Sequence, residues 1–315
     1  MNMENLDNYV DNLLKKEENH IRYKKAIIIL IFSTFLTALQ GLLIKKVDNI
    51  PVMEIVFFRN LGIIFIAPIL LWKNNIPILG NNKLFLLIRS IAGFIAISSI
   101  FFAYSNMLLS DAFTIKQLYP IFVIILSSFF LKEKILSRQI PLIVLTFFGV
   151  IMIIKPGLNS YILPSMIALN GSFFFSISQV MLSHLAHTDH SLVIVNYFGY
   201  IGGMLGFLIT ILQNSFVFPD FNDLILLLLI ALVSFGASYG GAKAYGMAQA
   251  SFISFYMYSE IIFATMLGIL FLEEVPNTLS IIGTLIIILS GIANFKIKLQ
   301  YEQQYSVECT PQIRH

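Results

Sequence analysis

The chain has 315 residues, of which 57% are hydrophobic and 12% charged, with a formal net charge of +3. That charged share is about half of what a soluble domain carries, and a soluble fold of this size has too little interior to hide so much apolar surface. The composition excludes a water-soluble domain and requires lipid to cover much of the molecule.

Residues 1–24 read as a polar N-terminal segment. Leu6, Val10, Leu13 and Leu14 are spaced for a short amphipathic helix on the cytoplasmic membrane surface, and a frayed tail fits equally well. Lys15, Lys16, Arg22, Lys24 and Lys25 are interleaved with Glu17 and Glu18 and run straight into an apolar stretch. That pattern is a juxtamembrane anchor facing lipid headgroups rather than a nucleic-acid arm. The first apolar run has no small-residue cleavage signal and is expected to stay as a helix.

A membrane-crossing helix needs about 20 mainly apolar residues. Such stretches fall near 25–44, 52–72, 83–104, 112–131, 139–154, 161–183, 191–213, 223–243, 250–272 and 277–296. Turn signals separate them, among them Asn49-Ile50-Pro51, Asn75-Ile76-Pro77, Lys155-Pro156-Gly157, Pro219-Asp220 and Pro276-Asn277. The expected fold is an all-α polytopic membrane protein of ten helices. With the N-terminus cytoplasmic, the inner segments carry thirteen Lys and Arg, including Lys73, Lys83, Lys132, Lys134, Arg138, Lys296, Lys298 and Arg314. The outer loops carry three, Lys45, Lys46 and Lys155. The bias predicts both termini in the cytoplasm, with residues 299–315 as a cytoplasmic tail. The abundance of Ile, Lys, Asn and Phe points to an AT-rich genome and hence to a bacterial inner membrane.

The halves of the chain resemble each other. Ala103-Tyr104, Asp111-Ala112 and Phe130-Leu131-Lys132-Glu133 recur about 140 residues later as Ala244-Tyr245, Ala250-Ser251 and Phe271-Leu272-Glu273-Glu274. Residues 25–156 and 157–298 therefore read as two five-helix repeats. An odd number of crossings per repeat turns the second upside down, the arrangement secondary transporters use to exchange inward-open and outward-open shapes.

Several charges sit inside apolar runs, where each costs about 2.5–3.5 kcal/mol on the insertion scale. Glu54 and Arg59 lie in helix two, Arg89 in helix three, Lys116 with Gln117 in helix four, and Lys243 near the end of helix eight. Glu260 is the deepest, roughly 15 Å from its helix end at 1.5 Å per residue. It is expected to face a cavity, bind a cation, pair with a base such as Lys116 or Lys243, or be protonated. Tyr104, Tyr119, Tyr239, Tyr245, Tyr256 and Tyr258 gather near these charges. Tyr119 and Tyr256 are nearest mid-membrane and are the expected cavity tyrosines. Gly199, Gly203, Gly206, Gly236 and Gly240 include small-xxx-small spacings that suit close helix packing. His184, His187 and His190 share one loop without a carboxylate cluster, so no metal site is expected. The lone Cys309 leaves no intrachain disulfide.

Together these residues resemble the drug/metabolite transporter superfamily, in its EamA-type ten-helix branch. The likeness rests on Glu54-Ile55-Val56-Phe57-Phe58-Arg59, Arg89-Ser90-Ile91-Ala92-Gly93, Ser110-Asp111-Ala112 with Pro120 and Glu133, Lys243-Ala244-Tyr245-Gly246-Met247 and Tyr258-Ser259-Glu260. It covers roughly residues 25–296, and its Phe-Phe-Arg and Lys-Ala-aromatic pieces are similar to rickettsial-type S-adenosylmethionine transporters and the solute-carrier 35G group. The resemblance implies a central cavity, with Lys116, Tyr119, Lys243, Tyr256 and Glu260 as substrate contacts and Glu54, Arg59, Arg89 and Gln117 as secondary ones. It also implies that helices five and ten support packing or a homodimer. Lys116 departs from the family pattern and suits an anionic substrate group or a partner for Glu260.

The expected function is a secondary transporter moving a small polar or zwitterionic metabolite by alternating access, with S-adenosylmethionine or an amino-acid-like compound as substrate. A metabolite or drug exporter of the same fold is the alternative. No phosphate-binding G-x-x-x-x-G-K-[ST] motif is present, so no ATP is hydrolysed and no cofactor is expected. A lipid- or prenyl-transferring enzyme needs clustered carboxylates or a His/Ser constellation that the sequence lacks.

Overall fold

The computed structural model describes residues 3–47, 49–130, 136–154, 161–186, 188–248 and 254–308. Lys132, Glu133, Lys134, Lys155, Pro156, Gly157, His187, Ala250, Ser251, Cys309 and Arg314 lie outside the described residues. The elements in order are α1 Met3–Lys45, α2 Val52–Lys73, α3 Lys83–Asn106, α4 Leu109–Lys116, α5 Tyr119–Phe130, α6 Ile140–Ile154, α7 Ile162–Leu185, α8 Ser191–Leu212 and α9 Phe221–Met247. A 3₁₀ turn, Ser254–Tyr258, then leads into α10 Ser259–Leu272, and α11 spans Thr278–Glu308. Residues 3–24 continue the first crossing instead of forming a separate helix.

Each apolar run becomes a helix because a helix satisfies all its backbone groups within one segment inside lipid. Eight passes are long and apolar enough to cross, with α4 and the start of α5 counted together, and the shorter Ile140–Ile154 and Tyr256–Leu272 complete ten. The chain is a polytopic membrane protein of ten helices. Its outer face is apolar, with Trp72 and Phe218 82% and 88% exposed. Its interior holds the polar groups: Glu54, Asn60, Gln117 and Glu260 are all buried. This distribution is the reverse of a soluble protein and marks lipid as the solvent of the outer surface.

The two repeats show in the packing. α3 lies against α7 just as α9 lies against α1, and α2 meets α9 as α8 meets α3. α2 pairs with its counterpart α8, and α6 with its counterpart α11. Matching helix ends confirm the correspondence. Asn75 after α2 and Asn214 after α8 both take left-handed φ, 54° and 49°. In each case the next amide reaches back to a carbonyl five residues earlier, Ile76 to Leu71 at 2.9 Å and Ser215 to Thr210 at 3.2 Å. That satisfies carbonyls the helix end would otherwise orphan, and asparagine tolerates the conformation better than most residues.

Close approach of backbones needs glycine at two crossings in particular. Gly206 of α8 faces the Met53 carbonyl and Phe57 amide of α2, each 3.1 Å from where a Cβ would lie. A Cβ on Gly283 of α11 would lie 2.6 Å from the Gly149 carbonyl of α6. The fifth and tenth crossings, α6 and α11, thus pack on each other inside one chain.

Candidate functional site

The fourth pass is broken between α4 and α5, and the cause is legible in chemistry. Pro120 has no amide hydrogen and its ring would collide with the carbonyl four residues back, that of Lys116. The freed Lys116 carbonyl accepts a hydrogen bond from Ser172 Oγ of α7 at 3.0 Å. The ninth pass is interrupted at the matching position by the 3₁₀ turn before α10. There Ser259 Oγ donates to the Tyr256 carbonyl at 2.6 Å, and Gln117 Nε2 donates to the Met257 carbonyl at 2.7 Å. Irregular backbone at membrane depth is tolerated where such partners exist.

The two breaks touch. Gln117 Nε2 also donates to Glu260 Oε2 at 2.8 Å, while Lys116 Nζ meets Glu260 Oε1 at 2.6 Å. The pair is nearly dry, with side-chain exposures of 6% for Lys116 and 1% for Glu260. Lys116 also lies over the rings of Phe113 and Phe175, 5.4 and 5.1 Å from their centroids. Each repeat therefore supplies one charge of the central pair.

Beside this pair lies a cavity of about 120 Å³, walled by α1, α2, α3, α4, α7, α8, α9 and the broken ninth pass. Lys116 and Glu260 line it, as do Arg59 and Arg89. Small hydroxyls and amides such as Ser33, Thr34, Gln40 and Gln179 add polar wall. Aromatic wall comes from Phe101, Phe175, Phe198, Tyr104 and Tyr245.

Other residues singled out in the sequence lie elsewhere. Gln117 sits behind Glu260 and orients it. Tyr119 is buried edge-on against Phe175, at 5.0 Å, behind the cavity wall. Tyr256 is half-buried and outside the lining. The tyrosines that line the cavity are Tyr104 and Tyr245, the repeat-related pair. Lys243 is exposed and lies over the Tyr239 ring at 5.7 Å, since its position one turn from the end of α9 lets the ammonium reach outward. Glu54 occupies the first turn of α2, where its carboxylate accepts the Val217 amide at 3.0 Å and fastens the α8–α9 loop. His184 packs on Phe85 at 4.8 Å, and His190 Nδ1 caps α8 by accepting the Leu192 amide at 3.2 Å.

Both ends of the bundle are tied. At one end Lys45 pairs with Glu274 and donates to the Met107 carbonyl at 2.5 Å. Glu274 in turn accepts the Leu109 amide at 2.7 Å, so α1, the α3–α4 turn and the end of α10 are held together. At the other end Asp189 accepts the Asn81 amide at 2.6 Å and the Thr188 hydroxyl at 2.9 Å. Asn81 and Asn82 side chains donate to Thr188, joining the α2–α3 and α7–α8 loops.

Comparison with known proteins agrees with this architecture. The model of the EamA-like transporter family matches residues 24–155 and again 163–295. The pseudopaline exporter CntI of Pseudomonas aeruginosa is 27% identical over 278 residues, spanning 87% of this chain and 97% of its own length. Human solute carrier family 35 member G1 is 24% identical over 279 residues, spanning 83% and 76%. The riboflavin transporter of Vibrio cholerae is 27% identical over 177 residues, spanning 54% and 57%. A solved crystal structure shares the fold, with a TM-score of 0.58 at 14% identity over 87% of this chain and 95% of its own. The chain belongs to the EamA-like transporter family, and that family and these relatives are transporters, not enzymes.

Proposed function

We propose that this EamA-like transporter moves a small polar or zwitterionic metabolite across the bacterial inner membrane, by alternating access around the central cavity. The observation that carries the reading is the Lys116–Glu260 pair, set where the two broken passes meet and forming part of the cavity wall. Two charges at this depth cost several kcal/mol to hold. A pair shared between repeats can be rearranged when one repeat rocks on the other, and a zwitterionic substrate can compete for both of its members. With no phosphate loop in the sequence, the driving force is a gradient or an exchanged solute. The positive-charge bias favours both termini in the cytoplasm.

A metabolite exporter is the second reading, supported by the relative named as a pseudopaline exporter. S-adenosylmethionine and neutral amino acids follow from the family resemblance and belong in the first substrate panel. The test is counterflow in proteoliposomes loaded with unlabelled compound and given labelled compound outside. Saturable accumulation that empty liposomes lack, and that is lost in Glu260→Gln, is the expected result. Full activity in Glu260→Gln contradicts the role given to this pair.

A further inference from the structure

We propose that the cavity selects a small organic anion with two negative charges, gripped by Arg59 and Arg89, an inference that rests on the transporter reading above. Both arginines are more than nine-tenths buried, at 4% and 7% exposure, and both line the cavity. Their guanidinium carbons lie 5.0 and 4.9 Å from the centroid of one ring, Phe198. Two like charges are thus held close together inside the membrane. Neither has a carboxylate partner among the described residues. Arg59 donates weakly to Asn60 Oδ1 and Ser238 Oγ, both at 3.2 Å, and its Nε has no partner. Arg89 leaves Nε and Nη1 without one.

Charge balance points the same way. Lys116 and Glu260 neutralise each other, so the lining carries two uncompensated positive charges. Among the described residues, the other buried carboxylates are engaged away from the arginines: Glu54 with Val217, Asp111 with Ser280 and Asp189 with Asn81, and the half-buried Glu274 pairs with Lys45. The Phe198 face offsets only part of the cost of two buried cations. A guanidinium presents a flat fork of N–H donors that matches a carboxylate or a phosphate in two parallel bonds. A doubly charged anion would neutralise the cavity and supply acceptors for the orphaned donors. The loaded carrier then crosses its midpoint without net buried charge, whereas the empty carrier does not, which favours exchange over unaccompanied return.

The test uses the full chain in proteoliposomes, with succinate, glycerol 3-phosphate, L-leucine, L-lysine and S-adenosylmethionine as probes. Exchange driven by succinate or glycerol 3-phosphate supports the proposal, and the difference between them tells carboxylate from phosphate recognition. Arg59→Gln and Arg89→Gln are expected to raise the half-saturating concentration by roughly tenfold to a hundredfold, the scale of a lost charged hydrogen bond. Arg89→Lys, which keeps charge but not the fork, is expected to fall between. Competition among the probes on the unaltered protein decides the same question should a variant fail to fold. Exchange driven by leucine, lysine or S-adenosylmethionine and indifferent to both dianions overturns the proposal while leaving the transporter reading intact. Absence of exchange with every probe, by folded protein, overturns the dianion proposal and the amino-acid-like substrate reading together, and leaves the family assignment standing.

Discussion

Replacing Lys116 by methionine removes one half of the central pair while keeping much of the volume. Glu260 then stays fully buried with, among the described residues, only Gln117 to donate to it, at 2.8 Å. Breaking a buried pair by deleting one partner costs about 3–5 kcal/mol. The retained Gln117 bond and water entering the adjoining cavity bring the expected loss to the low end, about 3 kcal/mol. The double variant Lys116→Met, Glu260→Met removes the orphaned charge and is expected to recover to within about 1 kcal/mol of the original stability, because apolar replacement of a buried pair is commonly near neutral. Equilibrium unfolding in mixed micelles measures the stabilities, and counterflow measures transport. Both variants are expected to lose transport, so stability and function separate in the double variant. A single variant as stable as the original, or a double variant as unstable as the single one, contradicts the buried-pair energetics.

Other perturbations probe the surrounding frame. Gln117→Leu strips a donor from the Met257 carbonyl and from Glu260, and is expected to lower stability by about 1.5–3 kcal/mol in the same unfolding assay. Gly283→Val drives a side chain into the Gly149 carbonyl and is expected to cost about 1–3 kcal/mol, seen as a lowered unfolding midpoint. Glu274→Gln loosens the tie among Lys45, Met107 and Leu109, so hydrogen exchange at the Leu109 amide is expected to quicken by roughly tenfold, the scale of a weakened charged hydrogen bond. Unchanged exchange at Leu109 would show that the tie does not hold this end together.

Much of the fold is legible because a lipid-covered helix needs a long apolar run, and ten such runs are written between Pro, Asn and Asp turns. The repeat is legible in pairs such as Tyr104 and Tyr245, which prove to face the same cavity. The breaks in passes four and nine are harder to read, since hydropathy counts apolar residues and ignores the backbone. Pro120 carries the missing signal for the first break, through the carbonyl it displaces from helical bonding. The placing of Arg59 and Arg89 is likewise hidden from depth alone. Counting residues from a helix end suggests side chains that reach the interface, whereas the rotation of α2 and α3 turns both guanidiniums inward toward Phe198. Lys243 shows the converse, a charge in an apolar run that escapes outward. The Lys116–Glu260 pair joins positions 144 residues apart; depth names Lys116 as one candidate base for Glu260, and the meeting of the two breaks is what selects it over Lys243.

The most direct test of alternating access is the accessibility of the cavity from each side of the membrane. Cys309 is replaced by serine and a single cysteine introduced at Thr37, a half-buried cavity position on α1. Labelling by a membrane-impermeant maleimide is measured from either face of oriented proteoliposomes. Alternating access predicts labelling from both faces, with a transported solute shifting the balance between them. Labelling from one face alone, whatever solute is present, contradicts it.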